Sequence, residues 1–182
     1  YYFEGNLYGI PLTHVYNVMF YRTDILEDLG VEAPDTWNDL LDVMPALQQN
    51  NLEVAIPSTE RLISGTANPD LSTYVALLYQ NGGRMYAEDL TSCTLASEAG
   101  VKAFEMYTRF YSHYGLPLAF DFANRFRTGE MPIGIAAYTT CNQLAIFASE
   151  LSGLWAFTEL PGEYVKDENG NPVMKPWYDV TE

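Results

Sequence analysis

The sequence predicts an α/β fold, and three observations carry that prediction. Short apolar runs of strand type recur along the chain, among them "VMFY", "EVAIP" and "IGIAAY". Between them lie longer stretches whose apolar residues return at helical spacing, most clearly in "TWNDLLDVMPALQQN". The two kinds of segment alternate from end to end, the pattern of an α/β domain. With 182 residues, 48% of them hydrophobic, the chain can bury one core of ordinary domain size. That apolar content excludes a disordered chain, and no apolar run is long enough to span a bilayer.

The elements follow in order. Residues 8–11 read as a short strand and residues 18–21 as a second, buried one. Between the two apolar runs sits a polar loop with Thr13, His14, Tyr16 and Asn17. Thr23 is placed to cap a short helix through Leu29, which Gly30 ends. In the next helix, Thr36 and Asp39 have the spacing of a capping box. Trp37, Leu40, Leu41, Met44 and Leu47 share its inner face. Pro45 is expected to kink this helix or end it near Met44. Residues 53–57 read as a buried strand.

Pro69 is expected to open a helix carrying Leu71, Tyr74, Val75, Leu78 and Tyr79, with Gly82 and Gly83 stopping it. Residues 84–95 read as loop or irregular β. Ser97 caps a long helix expected to turn Val101, Phe104, Tyr107, Tyr111 and Tyr114 inward, a stripe read as core and interface. A short helix over residues 121–128 ends at Gly129, and residues 131–138 form a strand. Thr139 or Thr140 caps a further helix to about Leu151, closed by Gly153. "LWAFTELPG" is a strand running into a turn, and Asn169-Gly170 in "DENGNP" signals a hairpin.

Several chemistries are missing from the linear sequence. There is no G-x-S-x-G, H-E-x-x-H, G-x-x-x-x-G-K-[ST] or G-x-G-x-x-G. His14 and His113 are the only histidines, which excludes a His-rich metal site, and no cofactor is expected. "DENGNP" resembles the start of a calcium loop, but Gly170 comes two positions early and the distal Glu is missing. Carboxylates are plentiful, yet their spacing singles out no glycosidase pair. A net charge of −15 repels phosphate backbones, so nucleic acid is not an expected partner. Cys93 and Cys141 form no C-x-x-C and read as two separate thiols, with a disulfide the alternative. The chain begins Tyr-Tyr-Phe-Glu, with neither an initiator Met nor a charged and apolar leader. It is therefore expected to be a piece of something longer.

The segments "LYGIP", "MFYRTDILEDLG", "APDTWNDLLDVM", "LLYQNGG", "FRTGEMPIGI" and "GLWAFTELPG", in that order and at these gaps, resemble the extracellular solute-binding proteins of ABC importers, in the group that captures sugars and oligosaccharides. "FRTGEMPIGI" fits that family's Phe-x-x-Gly-Lys-x-x-Met region, and the likeness runs from about Gly5 to Gly162. Arg22 and Pro45 depart from it: the family often has Asn after Tyr21 and leaves the helix whole.

The resemblance implies a periplasmic-binding-protein-like (type II) lobe, a mixed sheet flanked by helices, with ligand held between two lobes. It implies that residues 1–11 form the first crossing strand and hinge, 12–136 the second lobe, and 137–182 the return crossing and the start of the first lobe's closing segment. It further implies an ABC permease as partner and an exported protein, periplasmic or lipid-anchored at the cell surface, with no catalysis.

A sugar site needs aromatic rings for C–H faces and polar groups for hydroxyls. Loops leaving the crossing strands would supply Thr13, His14 and Tyr16, then Tyr138 and Asn142 with the free N–H groups of the following helix start. Asn68, Asp70 and Ser72, with Tyr74 just beyond, open the helix before Gly82-Gly83; they either touch ligand or simply cap that helix. Tyr138 either stacks on the sugar or packs the hinge. Trp177 either returns to the cleft mouth or belongs to a frayed end. Two alternatives stand beside the sugar carrier. One is a glycoside-acting enzyme module. The other is a carrier of peptide or polyamine, with Asp70 or Glu150 pairing a cationic solute.

Overall fold

The computed structural model describes residues 1–3, 5–10, 12, 16–61, 67–166, 169 and 172–175. Its strands are β1 (Tyr2–Phe3), β2 (Asn6–Leu7), β3 (Asn17–Arg22), β4 (Val54–Ala55), β5 (Thr59–Arg61), β6 (Ala67–Pro69), β7 (Ile133–Ala137), β8 (Trp155–Thr158), β9 (Glu163–Lys166) and β10 (Pro172–Lys175). The helices are α1 (Thr23–Leu29), α2 (Trp37–Gln49), α3 (Ser72–Gln80), α4 (Glu98–Ser112), α5 (Phe122–Arg127) and α6 (Thr140–Phe147).

The main sheet runs β4-β7-β3-β8 among the described residues. It is mixed: β7 pairs parallel with β4 and antiparallel with β3, and β3 pairs antiparallel with β8. Alternation along each strand sends side chains to two helical layers. Met19, Ile133 and Ile135 pack against Trp37, Leu40, Met44, Leu77 and Phe110 on one side. Val18 and Phe20 pack against Phe126, Leu144 and Ala148 on the other. Gly134 makes the second layer fit. A Cβ there would sit 2.3 Å from the Phe122 ring and 2.7 Å from the Ala55 Cβ.

Many of the predicted elements form for the predicted reasons. The capping box at Thr36 and Asp39 is closed in both directions, and all five inward residues of α2 are buried. Gly30 ends α1 and Gly129 follows α5, both at positive φ. Ser97 and Asp121 accept the N–H groups three residues on. β9 and β10 pair around Asn169 as the hairpin signal requires. Cys93 and Cys141 are free thiols.

Other expectations are corrected. Residues 8–10 are not strand. Residues 133–137 of "IGIAAY" form an interior strand of one sheet. The chain beyond Ala137 stays with that sheet, returning as β8. Thr23 is the first helical residue, with Arg22 in the cap position. Pro45 lies on the exposed face of α2 and the helix continues to Gln49, the proline leaving the Leu41 carbonyl four residues back without its helical donor. Pro69 closes β6 instead of opening α3, and Leu71 is exposed. On α4 the buried residues are Gly100, Ala103 and Phe110, whereas Val101 and Phe104 face outward. The helical stripe was read one position off; Tyr107, Tyr111 and Tyr114 flank the core, half-buried.

Arg22 has a use of its own. Its Nη1 donates to the Phe126 carbonyl at 3.1 Å, at the end of α5, while Nε and Nη2 hold the Asp24 carboxylate at 2.8 and 2.6 Å. A cation at a helix C-terminus satisfies open carbonyls and the helix dipole together. That hydrogen-bonded guanidinium holds the Asp24 carboxyl below its usual range.

Candidate functional site

Antiparallel pairing decides which side chains meet at the carboxyl end of β7. The last rung, Asn17 opposite Ala137, is followed by a bond from the Tyr138 N–H to the Tyr16 carbonyl at 2.9 Å. Two tyrosines thus face each other across adjacent strands and stack, ring centroids 5.2 Å apart and 17° from parallel. Phe157 of β8 meets Tyr138 edge-on at 5.4 Å. Tyr16, Tyr138 and Phe157 remain 37%, 40% and 43% exposed, so apolar ring surface is presented to solvent next to an otherwise buried aromatic layer. Rings held in this way suit the C–H face of a solute.

Asn17 follows Tyr16 and, by strand alternation, leaves from the opposite face. Its side-chain amide donates to the Ser72 hydroxyl at 3.0 Å, tying β3 to the start of α3. Asp70 accepts the Ser72 N–H at 2.9 Å, a bond two residues on within the turn before α3, whose cap position is Leu71 with no side-chain cap bond. The Asp70 backbone is itself held twice. Its N–H donates to the Ser58 carbonyl at 2.9 Å, and its carbonyl accepts from the Tyr107 hydroxyl at 3.3 Å. Tyr111 stands beside Tyr107, centroids 5.3 Å apart, and donates to the Ile56 carbonyl at 3.2 Å. Burial pushes both phenols above the ordinary tyrosine range, Tyr111 further than Tyr107.

The structure therefore brings Tyr16, Tyr138, Asp70 and Ser72 to one end of the sheet, linked through Asn17. Asn142 is exposed in the first turn of α6, close to Tyr138 in the chain. The expected free N–H groups of that turn are spent at two positions: Cys141 donates to Tyr138 and Asn142 to Thr139. Asn68 lies in β6 opposite Glu60, and its side chain falls outside the description. Thr13, His14 and Trp177 lie outside the described residues. Sequence reading missed Phe157, the bond from Tyr107 to the Asp70 carbonyl and the linking role of Asn17. The only signal for Phe157 was its alternation within a strand, and that became informative once β8 was known to pair with β3.

A separate hollow of about 300 Å³ lies between α6 and the start of β8, lined by Ala145, Ala148, Ser149, Ser152, Gly153 and Trp155. Trp155 pairs with Arg22, at the far end of β3 from Tyr16, so this hollow is not continuous with the tyrosine pair. Its lining carries two serines and no charged side chain. Among the described residues no three His, Cys, Asp or Glu side chains are placed to hold a metal ion.

Comparison with known proteins agrees with the fold. The family model for bacterial extracellular solute-binding proteins matches residues 1–174. The lactose-binding protein of Rhizobium radiobacter is 26% identical over 104 residues, covering 55% of this chain and 22% of the relative. An ABC transporter solute-binding protein from Thermotoga lettingae, solved with α-D-tagatose, superimposes with a TM-score of 0.72 at 18% identity, over 96% of this chain and 47% of its own. The sugar-binding protein MalE from Xanthomonas citri gives the same TM-score at 19% identity, over 96% of this chain and 43% of its own. The chain thus spans under half the length of these structural neighbours.

Proposed function

The chain belongs to the bacterial extracellular solute-binding proteins, and from that premise we propose that it forms one lobe of a carrier that captures a sugar or oligosaccharide for an ABC importer. The lobe runs from about residue 16 to about residue 166, and solute lies against the end of the sheet where Tyr16 and Tyr138 stack. The observation that carries this reading is the half-exposed stacked pair, with Ser72 and Asp70 across the sheet from it. Rings take up the apolar face of a pyranose while hydroxyl and carboxylate meet its hydroxyls. Thr13, His14, Asn68, Asn142 and Trp177 remain our further candidates for solute contact.

No bond is made or broken in this scheme. Solute touches both lobes and so favours the closed arrangement over the open one; that differential affinity drives closure. The closed form docks on a permease from the periplasm or the outer cell surface. Of the described residues, no helix is long and apolar enough to cross a membrane.

Calorimetry on the full-length protein that carries this chain tests the proposal. Neutral mono- and oligosaccharides, spermidine and a short basic peptide are titrated in turn. Saturable binding confined to a carbohydrate is expected. Binding confined to spermidine or peptide overturns the sugar reading, and steady release of a cleaved sugar overturns the carrier reading. The 182-residue chain by itself is expected to bind weakly or not at all; micromolar affinity there contradicts a two-lobe site.

A further inference from the structure

We infer that Asn17 is a positioning residue that fixes Ser72 as a hydrogen-bond donor toward the solute; this rests on the proposed sugar site. A serine hydroxyl has one proton and two acceptor lone pairs, and its proton turns to whichever partner accepts. Here the Asn17 Nδ2–H donates into Ser72 Oγ at 3.0 Å, occupying a lone pair and leaving the proton to point elsewhere. Among the described residues nothing takes that proton. Ser72's own N–H is engaged by Asp70 Oδ1 at 2.9 Å, so backbone and side chain are both held in place. Ser72 therefore offers a proton beside the Asp70 side chain, whose Oδ1 accepts a hydrogen bond. A donor next to an acceptor matches a solute hydroxyl, which does both. Asn17 sits one residue from Tyr16, so the same rung of β3 fixes the stacking surface on one face and the polarity of the hydroxyl on the other.

Asn17→Asp tests this because it nearly preserves shape and reverses the bond. An aspartate accepts only, so it draws in the Ser72 proton and removes the donor from the solute. Carbohydrate affinity of the full-length protein is measured for Asn17→Asp, Ser72→Ala and the double variant. Asn17→Asp is expected to weaken binding about tenfold or more, Ser72→Ala by a similar factor, and the pair together no more than either alone. Asn17→Ala, which leaves the Ser72 proton available, is expected to weaken binding only about threefold. If Asn17→Asp acts equally with and without Ser72, the new charge is the cause and the inference is overturned.

A second readout does not need a solute. One Asn17 side-chain N–H proton, seen by NMR, is expected to be shifted and slow to exchange, and to lose both features in Ser72→Ala. An amide signal indifferent to Ser72 overturns the inference. If no carbohydrate binds the unaltered protein, the proposed function falls, and the amide signal alone then decides whether Ser72 is oriented as described.

Discussion

Two groups of tyrosines sit at the same end of this molecule and are built for different work. Tyr107 and Tyr111 on α4 meet edge-on, are half-buried, and spend their hydroxyls on backbone carbonyls of Asp70 and Ile56. Tyr16 and Tyr138 stack nearly parallel, and more than a third of each is exposed. In the first group the hydroxyl is bound and the ring is covered, so each residue braces the loops that carry the site. In the second, ring surface faces solvent beside Phe157. Exposure of the ring, rather than residue type, separates a scaffold tyrosine from one available to a solute.

The largest effect should come from breaking the scaffold group. Tyr111→Ala removes a ring packed against the main core and is expected to cost about 3 kcal/mol in chemical denaturation. Losing that much stability at Tyr138 instead would reverse the assignment of the two groups. Next in size, Tyr138→Ala should weaken carbohydrate binding by the full-length protein about tenfold or more, with a stability change under about 1 kcal/mol. Calorimetry and a denaturation midpoint on the same sample separate the two quantities.

A subtler variant sharpens the contrast through the hydroxyl. Tyr111→Phe keeps the ring and removes the bond to the Ile56 carbonyl, for an expected loss of about 1 kcal/mol near neutral pH. It should also change the alkaline limb. Burial raises the Tyr111 phenol in the folded state, so the fold holds this proton where the unfolded chain releases it. The resulting stabilisation is complete below the unfolded tyrosine value, near pH 10, and is lost as pH rises beyond it. Denaturation midpoints from pH 9 to 11 should therefore fall less steeply in Tyr111→Phe than in the unaltered chain. Equal slopes would mean that Tyr111 is no better shielded than an exposed tyrosine.

Local rules and long-range pairing account for what the sequence could and could not reveal. Thr36 and Asp39 close a capping box whose partners lie three residues apart, so that helix was legible outright. The stripe on α4 failed because its apolar residues permit two neighbouring faces, and only packing against α3 selects the one with Gly100, Ala103 and Phe110. "IGIAAY" was correctly a strand, but its neighbours come from residues 17–22 and 54–55, a register that no local pattern encodes. At the site, Tyr138 was legible as the residue that ends a strand, whereas Tyr16 was expected after residues 8–11 and instead lies just before β3. Their stacking on each other was not legible, because it follows from that same register. The bond from Asn17 to Ser72 spans 55 positions and was equally hidden.

The smallest effect, and the finest test of the comparison, belongs to the hydroxyls of the exposed pair. If ring surface is what Tyr138 offers, Tyr138→Phe preserves it: the same aromatic face, the same approach to Tyr16 at 5.2 Å and to Phe157 at 5.4 Å. Carbohydrate affinity should then stay within about threefold of the unaltered protein, less than a single neutral hydrogen bond is usually worth. A tenfold loss would mean that the phenol oxygen bonds the solute directly. Tyr138 would then resemble Tyr107 and Tyr111 after all, its hydroxyl spent on the solute instead of on the backbone, and ring exposure alone would no longer distinguish the two groups.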